Sequence, residues 1–217
     1  MKEKVKKIIA VVLTFLMSIG CVQSYPMVSA LESDYEVYPN PHMMEYQDGS
    51  FDITSNVNIV YEDGIDEYTR DRLNEVLAIK KINATTSTEV KEDQTNILVG
   101  IKGSNQYVDQ YAGEHYTVKT NNLFDQLDSY LLKVDNGKIT VLGKDTDAAF
   151  YGLTSLYHIF KQLDGTNIRN FTMEDYANVA SRGFIEGYYG NPWSTTDRIK
   201  LMEWGGYYKL NSYFYAP

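Results

Sequence analysis

The sequence has 217 residues, 43% of them hydrophobic and 23% charged, which is ordinary for a globular protein and predicts a packed core. Its net charge of −9 at neutral pH argues against nucleic acid and anionic membranes as partners, because both repel an acidic surface. The single cysteine, Cys21, lies in the N-terminal leader, so a processed chain would contain no disulfide.

Residues 1–30 have the three features of a secretory signal peptide. A lysine-rich start precedes an apolar run over residues 8–20, and the small residues of "VSA" follow, ending at Ala30. The apolar run is too short to span a bilayer, which takes about 20 residues. We therefore expect no stable membrane span, cleavage near Ala30, and a bacterial protein that is secreted or held at the cell surface. A lipoprotein cleavage box ending at Cys21 is the alternative.

The segment after the leader alternates between strand and helix patterns. Alternating apolar residues predict a strand over residues 51–63. Apolar residues at helical spacing predict a helix over residues 66–82, with Tyr68 in its apolar stripe. A short apolar strand is predicted over residues 95–101, whereas residues 106–128 have no steady period and are expected to contain loops.

The clearest local signal is a β-hairpin over residues 130–143. Two β-rich runs flank Asn136-Gly137, the preferred residue pair for a two-residue type I′ turn. An amphipathic helix with capping residues at both ends is predicted over residues 145–165. Residues 31–177 are therefore expected to form an α+β or α/β domain.

Residues 178–217 predict one strand–helix–strand step. A strand leads into the loop "EGYYGNPW", Ser194 is placed to cap a helix, and an aromatic-rich strand follows. Strand–helix–strand is the repeating unit of parallel sheets and of (β/α)8 barrels. The loops that follow the strands of such barrels build the active site, so this loop is the candidate functional segment.

The residue types of this loop suit sugar recognition. Gly187 and Gly190 allow a ligand to approach the backbone closely, and Tyr188, Tyr189 and Trp193 offer flat apolar faces with polar tips. The alternative interpretation is structural. In that case the glycines form a tight turn and the aromatic side chains pack inside the protein.

The same stretch resembles a known enzyme family. The words "RGFIEGYYGNPWS" (residues 182–194), "YKLN" (208–211) and "YFYAP" (213–217) resemble glycoside hydrolase family 84, which contains clostridial hyaluronidase-type toxins and bacterial O-GlcNAcases. Upstream, "YEVYPNP", "NIVYEDGID" and "DTDAAFYGLTSLYHIF" resemble the accessory domain of that family. The resemblance implies an accessory domain over residues 31–177 and a (β/α)8 TIM barrel that starts within residues 178–217.

The resemblance also implies a chemistry. Enzymes of this family are β-N-acetylglucosaminidases that retain the anomeric configuration and use the 2-acetamido group of the substrate as nucleophile, assisted by two adjacent aspartates. The expected substrates are glycans or glycoproteins that contain N-acetylglucosamine, with hyaluronan as one candidate. We expect no cofactor and no metal, since the sequence has neither a phosphate-binding glycine loop nor zinc-ligand spacing.

One site residue of the family has a counterpart in this sequence. It is Gly187, whose backbone carbonyl in the relatives accepts a hydrogen bond from a sugar hydroxyl. Glu186 and Tyr189 are expected to support this position without contacting the substrate, and for Glu186 a buried, hydrogen-bonded glutamate is favoured over a catalytic acid. In the family the aspartate pair and a sugar-contacting lysine come later than the position of Pro217. We therefore expect a truncated barrel and an inactive 217-residue chain. A non-catalytic carbohydrate-binding or adhesion module is the alternative.

Other candidate residues give weaker signals. His42, His115 and His158 are scattered along the sequence, and packed or surface histidines are favoured over metal ligands. The acidic run over residues 62–67 lacks the ligand spacing of a calcium loop, so a solvated turn is expected there.

Overall fold

The computed structural model describes residues 34–187 and 190–215. The strands are β1 (Met43–Asp52), β2 (Asn56–Tyr61), β3 (Asn83–Ser87), β4 (Asn96–Ile101), β5 (Tyr130–Asp135), β6 (Lys138–Gly143), β7 (Asn167–Asp175), β8 (Gly183–Glu186) and β9 (Ser212–Tyr215). The helices are α1 (Glu67–Ile79), α2 (Tyr107–His115), α3 (Thr146–Gln162) and α4 (Thr195–Gly206), with a short 3-10 helix at Leu123–Asp125.

The first seven strands form one mixed sheet in the order β1-β7-β5-β6-β4-β2-β3. The pairs β3–β2, β2–β4 and β4–β6 are parallel, whereas β6–β5, β5–β7 and β7–β1 are antiparallel. Helices cover both faces, because residues that alternate along a strand point to opposite sides of the sheet. Ile97 and Val99 of β4 pack in one core with α1 and α3, and Leu98 packs in the other with α2. This is a mixed α/β architecture.

The hairpin prediction is confirmed. Strands β5 and β6 pair antiparallel from Tyr130 opposite Gly143 to Asp135 opposite Lys138. The turn residues Asn136 and Gly137 have φ angles of 47° and 76°. Both values lie in the left-handed region, as a type I′ turn requires.

The predicted helix over residues 145–165 is confirmed as α3. Asp145 caps it, with its side chain accepting a hydrogen bond from the N–H of Ala148 at 2.9 Å. Gly152 lets the helix approach the sheet closely, because a Cβ there would lie 2.7 Å from Cγ1 of Val141 and 3.1 Å from the ring of Tyr130.

The single strand predicted over residues 51–63 is wrong. Strand β1 lies at one edge of the sheet and β2 lies near the other, so the chain must cross the sheet between them. Buried Ile53 and half-buried Thr54 form that crossing, and Thr54 exchanges hydrogen bonds with Thr95 at 3.1 and 3.0 Å. Tyr68, predicted in the apolar stripe of α1, is 81% exposed.

Residues 106–128 contain loops, as expected, but also helix α2, whose buried apolar side chains are only Val108 and Ala112, too few to give a visible period. The solvated turn expected over residues 62–67 is wrong at Glu62. In the acidic run over residues 62–67, Glu62 is 3% exposed and its carboxylate accepts the backbone N–H groups of Ile101 and Asp109, both at 2.7 Å. The carboxylate is buried because these backbone donors replace water.

The strand–helix–strand prediction is confirmed as β8–α4–β9. The two strands pair in parallel, with Gly183 opposite Ser212 at one end. Ser194 caps α4, accepting the N–H of Asp197 at 3.2 Å. Over the described parts of the chain, no helix combines the length and the apolar character that a membrane span needs.

Candidate functional site

The carboxyl ends of β8 and β9 lie side by side. Glu186, the last residue of β8, stands opposite Tyr215 of β9. Gly187 follows directly and is exposed, and the indole of Trp193 in the same loop is 48% exposed. Tyr189 lies outside the described residues, so its supporting role stays a prediction.

The carboxylate of Glu186 is buried and occupied on both oxygens. Arg198 of α4 binds it in a fork, with Nε 2.7 Å from one oxygen and Nη2 2.8 Å from the other. The backbone N–H of Trp193 donates at 3.2 Å, and the hydroxyl of Tyr213 donates as well. Glu186 is 5% exposed. The carboxylate thus ties the end of β8 to the loop, to the first turn of α4 and to β9.

These contacts keep Glu186 ionised. The hydrogen bonds from Arg198 lower the pKa of the Glu186 carboxyl from 4.5 to about 2, outweighing the opposite effect of burial, and Tyr213 and Trp193 lower it further. A general acid needs a proton to donate near neutral pH. Glu186 does not have one, so the structure places it as a buried, hydrogen-bonded glutamate.

A second buried ion pair lies at the amino end of β9. Lys209 is 6% exposed, and its Nζ lies 2.8 Å from Oδ2 of Asp175 and 2.8 Å from the hydroxyl of Tyr130. Tyr130 in turn donates to Asp175 at 3.0 Å. Burial alone would raise the pKa of Asp175, but the charge and hydrogen bond of Lys209 lower it below its ordinary value. The pair joins β9 to strands β5 and β7 of the main sheet.

Arg182 makes a second connection to the main domain, at the amino end of β8. Its guanidinium donates to Oδ2 of Asp128 at 2.7 Å, to the carbonyl of Val179 at 2.7 Å and to the carbonyl of Lys209 at 3.0 Å. Sequence reasoning missed both connections. The available signal was a basic residue shortly before each strand of the step: Arg182 directly precedes β8, and Lys209 lies three positions before the start of β9.

Hydrogen bonds and ring stacking hold His42 and His158 in place. His42 binds Asp175 through Nδ1 at 2.9 Å and stacks on Tyr176, and Nδ1 of His158 accepts the N–H of Tyr38 at 3.1 Å. No group of three or more metal-ligating side chains occurs among residues 34–187 and 190–215.

Comparison with known proteins assigns the two parts of the chain separately. Residues 34–176 match the family described as glycosyl hydrolase family 20, domain 2. Residues 182–217 match the family described as beta-N-acetylglucosaminidase. Arg182 and Lys209, both in the second matched segment, bind Asp128 and Asp175 in the first.

Solved structures agree with both matches. CpGH84D has a TM-score of 0.83 and 46% identity over 86% of this chain and 31% of its own. CpGH84B has a TM-score of 0.68 and 26% identity over 85% of this chain and 30% of its own. The GH20 exo-beta-N-acetylglucosaminidase from Vibrio harveyi, solved as an inactive mutant, shares the fold, with a TM-score of 0.61 and 15% identity over 82% of this chain and 25% of its own.

The chain therefore spans about a third of the length of the solved proteins that it matches. Most of the chain matches domain 2 of the family 20 glycosyl hydrolases, and both parts together align with CpGH84D and CpGH84B. The chain belongs to the glycoside hydrolase family 84 type of N-acetylglucosaminidases.

Proposed function

We propose that the protein acts as a secreted, retaining β-N-acetylglucosaminidase on glycans or glycoproteins. The observation that carries the proposal is the parallel β8–α4–β9 step, which lies in the segment that matches the β-N-acetylglucosaminidase family. The exposed Gly187 directly follows β8 in this step. In (β/α)8 barrels the carboxyl ends of the strands carry the active site. Gly187 occupies such an end.

The barrel itself is part of the proposal. In the β8–α4–β9 step, Ile185 is 75% exposed and Phe214, its partner in register, is 53% exposed, while Trp204 of α4 lies beside Phe184 and is 53% exposed. Exposed large apolar side chains are typical of surfaces that other elements cover. Further strands and helices of a barrel would cover these side chains, which supports β8 and β9 as two of its strands.

The proposed roles follow the positions of the residues. The carbonyl of Gly187 binds a sugar hydroxyl, and the Glu186–Arg198 pair holds the strand end that carries it. The acetamido group of the substrate supplies the nucleophile, and an aspartate pair supplies orientation and the proton. The 217-residue sequence contains no two adjacent aspartates. We therefore assign that pair to the rest of the barrel and expect this chain to be inactive on its own.

Hydrolysis of aryl β-N-acetylglucosaminide tests the activity. The gene product extended past codon 217 should release the aryl group and give β-configured N-acetylglucosamine first, as followed by proton NMR. The matching aryl β-glucoside, which lacks the acetamido nucleophile, should resist. Equal rates on both substrates would contradict substrate assistance, and no turnover by the extended product would contradict the proposed activity. Turnover by the 217-residue chain would contradict the assignment of the aspartates.

Export is tested separately. Mass spectrometry of the protein in a bacterial culture should give an N-terminus close to residue 31 in the medium or at the cell surface. A lipid-modified N-terminus at Cys21 would support the lipoprotein alternative, and an intact Met1 in the cytoplasm would contradict export.

A further inference from the structure

A cleft on the main domain is built in a way that the proposed hydrolase function does not use. It has a volume of about 520 Å³ and lies between the end of α2, the loop before β4 and the β5–β6 turn. Clefts of about 300–1,000 Å³ are typical of small-molecule sites. We call it the α2 cleft, and its side-chain lining includes Lys91, Glu92, Gln94, Tyr111, His115, Tyr116, Asp135 and Lys138.

Aromatic rings form one wall of the α2 cleft. The imidazole of His115 stacks on the ring of Tyr111 at 4.1 Å with 15° between the planes, while Tyr116 stands edge-on to Tyr111 at 5.9 Å and 77°. Nδ1 of His115 lies 2.9 Å from the carbonyl of Tyr111, which fixes the imidazole in this position. His115 is exposed, so the face of its ring turned away from Tyr111 is open. Such a corner offers a flat apolar surface beside polar tips.

The opposite wall is polar and rigid. Asn96 holds the loop, since its Oδ1 accepts the N–H of Lys91 at 2.8 Å and its Nδ2 donates to the carbonyls of Lys91 and Gln94, both at 2.8 Å. Rigid walls reduce the entropy lost on binding.

The charges of the α2 cleft balance. The lining contains two lysines, Lys91 and Lys138, and two carboxylates, Glu92 and Asp135, so it carries no net charge that would favour a polyanion or a polycation. A sugar ring has an apolar face that stacks on an aromatic ring and hydroxyl edges that reach amides and charged tips. We propose that the α2 cleft binds one or two rings of an uncharged saccharide.

Saturation-transfer NMR and calorimetry on the full chain test this with N-acetylglucosamine, its β1,4-linked dimer and glucuronic acid. The dimer should bind with a dissociation constant of about 1 mM or tighter. His115→Ala should weaken binding about 3- to 10-fold, as expected for the loss of one stacked ring. Tyr68→Ala, which removes an aromatic ring that is 81% exposed on α1, is the matched control and should leave the affinity unchanged.

The proposal is overturned by absence of binding of both neutral sugars, by equal affinity of wild type and His115→Ala, or by glucuronic acid binding as tightly as N-acetylglucosamine. None of these outcomes depends on hydrolysis, so they leave the test of the enzymatic proposal intact.

Discussion

Replacement of Lys209 by methionine should release the β8–α4–β9 step from the main sheet. The variant keeps most of the side-chain stem but removes the charge and the two 2.8 Å contacts to Asp175 and Tyr130. Removal of one partner of a buried ion pair leaves the other charge uncompensated and costs about 3–5 kcal/mol. Asp175 keeps donors from His42 at 2.9 Å and Tyr130 at 3.0 Å, so we expect the lower end, about 3 kcal/mol.

Urea unfolding measures this loss. With a slope of about 2 kcal/mol per molar urea, the midpoint should fall by about 1.5 M. Both tryptophans, Trp193 and Trp204, lie in the β8–α4–β9 step. Tryptophan fluorescence therefore reports on this step, while far-UV circular dichroism reports on the whole chain. In Lys209→Met the fluorescence transition should move to lower urea than the dichroism transition.

Controls distinguish the buried pair from a general loss of charge. Lys119→Met removes a lysine that is 57% exposed and pairs with Glu45 at the surface, so it should cost less than about 1 kcal/mol. The double variant Lys209→Met with Asp175→Asn should recover part of the loss, because no buried charge is left unpaired. A shift below about 0.5 M for Lys209→Met, or an equal shift for Lys119→Met, would refute the reasoning.

Acid should remove the difference in unfolding midpoint between wild type and Lys209→Met. The folded-state pKa of Asp175 is lowered, because Lys209 outweighs burial. The contribution of the Asp175 charge is therefore present above the ordinary carboxyl pKa and is lost as the pH falls through the folded-state value. The unfolding midpoints of the two proteins should therefore converge as the pH falls. A difference in midpoint that stays constant down to low pH would contradict the ion-pair account.

Three further substitutions test the packing and the candidate site. Gly183→Ala would place a Cβ 1.6 Å from the carbonyl oxygen of Ser212 and should break the β8–β9 pairing. The free energy of unfolding measured by fluorescence should fall by about 1–3 kcal/mol or more, the cost of overpacking a core. Gly152→Ala in α3 should lower the free energy of unfolding by about 1 kcal/mol or more, as measured by circular dichroism. Gly113→Ala in α2 meets no neighbouring atom within 4 Å, so it should raise the free energy of unfolding by about 0.5–1 kcal/mol in the same measurement. Glu186→Gln should lower the midpoint above pH 4.5 and flatten its fall in acid, because the wild-type carboxylate contributes above its ordinary pKa of 4.5 and loses that contribution as the pH falls through about 2.

The parts of the fold that sequence predicted are those specified by local chemistry. Asn136-Gly137 accepts the positive φ angles of a type I′ turn, and Asp145 and Ser194 offer side-chain acceptors at helix starts, so each signal lies within a few residues of its effect. Strands β3 and β7 gave no such signal. Strand β3 is an edge strand with few buried residues, and the many polar residues of β7 are buried by partners far away in sequence.

In the candidate site, too, sequence predicted the features that depend on neighbouring residues and missed those that depend on distant ones. The sequence words placed Glu186 and Gly187 at the end of a strand, because the strand and loop are contiguous. The partners were hidden by distance along the chain. Arg198 lies 12 positions after Glu186, beyond the loop and in the first turn of α4. Lys209 lies 34 positions after Asp175, beyond β8 and α4. Ion pairs of this kind are specified by tertiary packing, which no local pattern encodes.

Three ion pairs lie at the two ends of the β8–α4–β9 step, and their distribution bears on function. Arg182 precedes β8 and Lys209 precedes β9, so both connections to the main sheet are made at the amino ends of the strands. Glu186 and Arg198 lie at the carboxyl end, where Gly187 is exposed. The main domain thus fixes the position of β8 and β9 without covering the edge at which a barrel enzyme binds its substrate. Substitutions at Lys209 should therefore act on stability alone, whereas substitutions around Glu186 should act both on stability and on the geometry of Gly187.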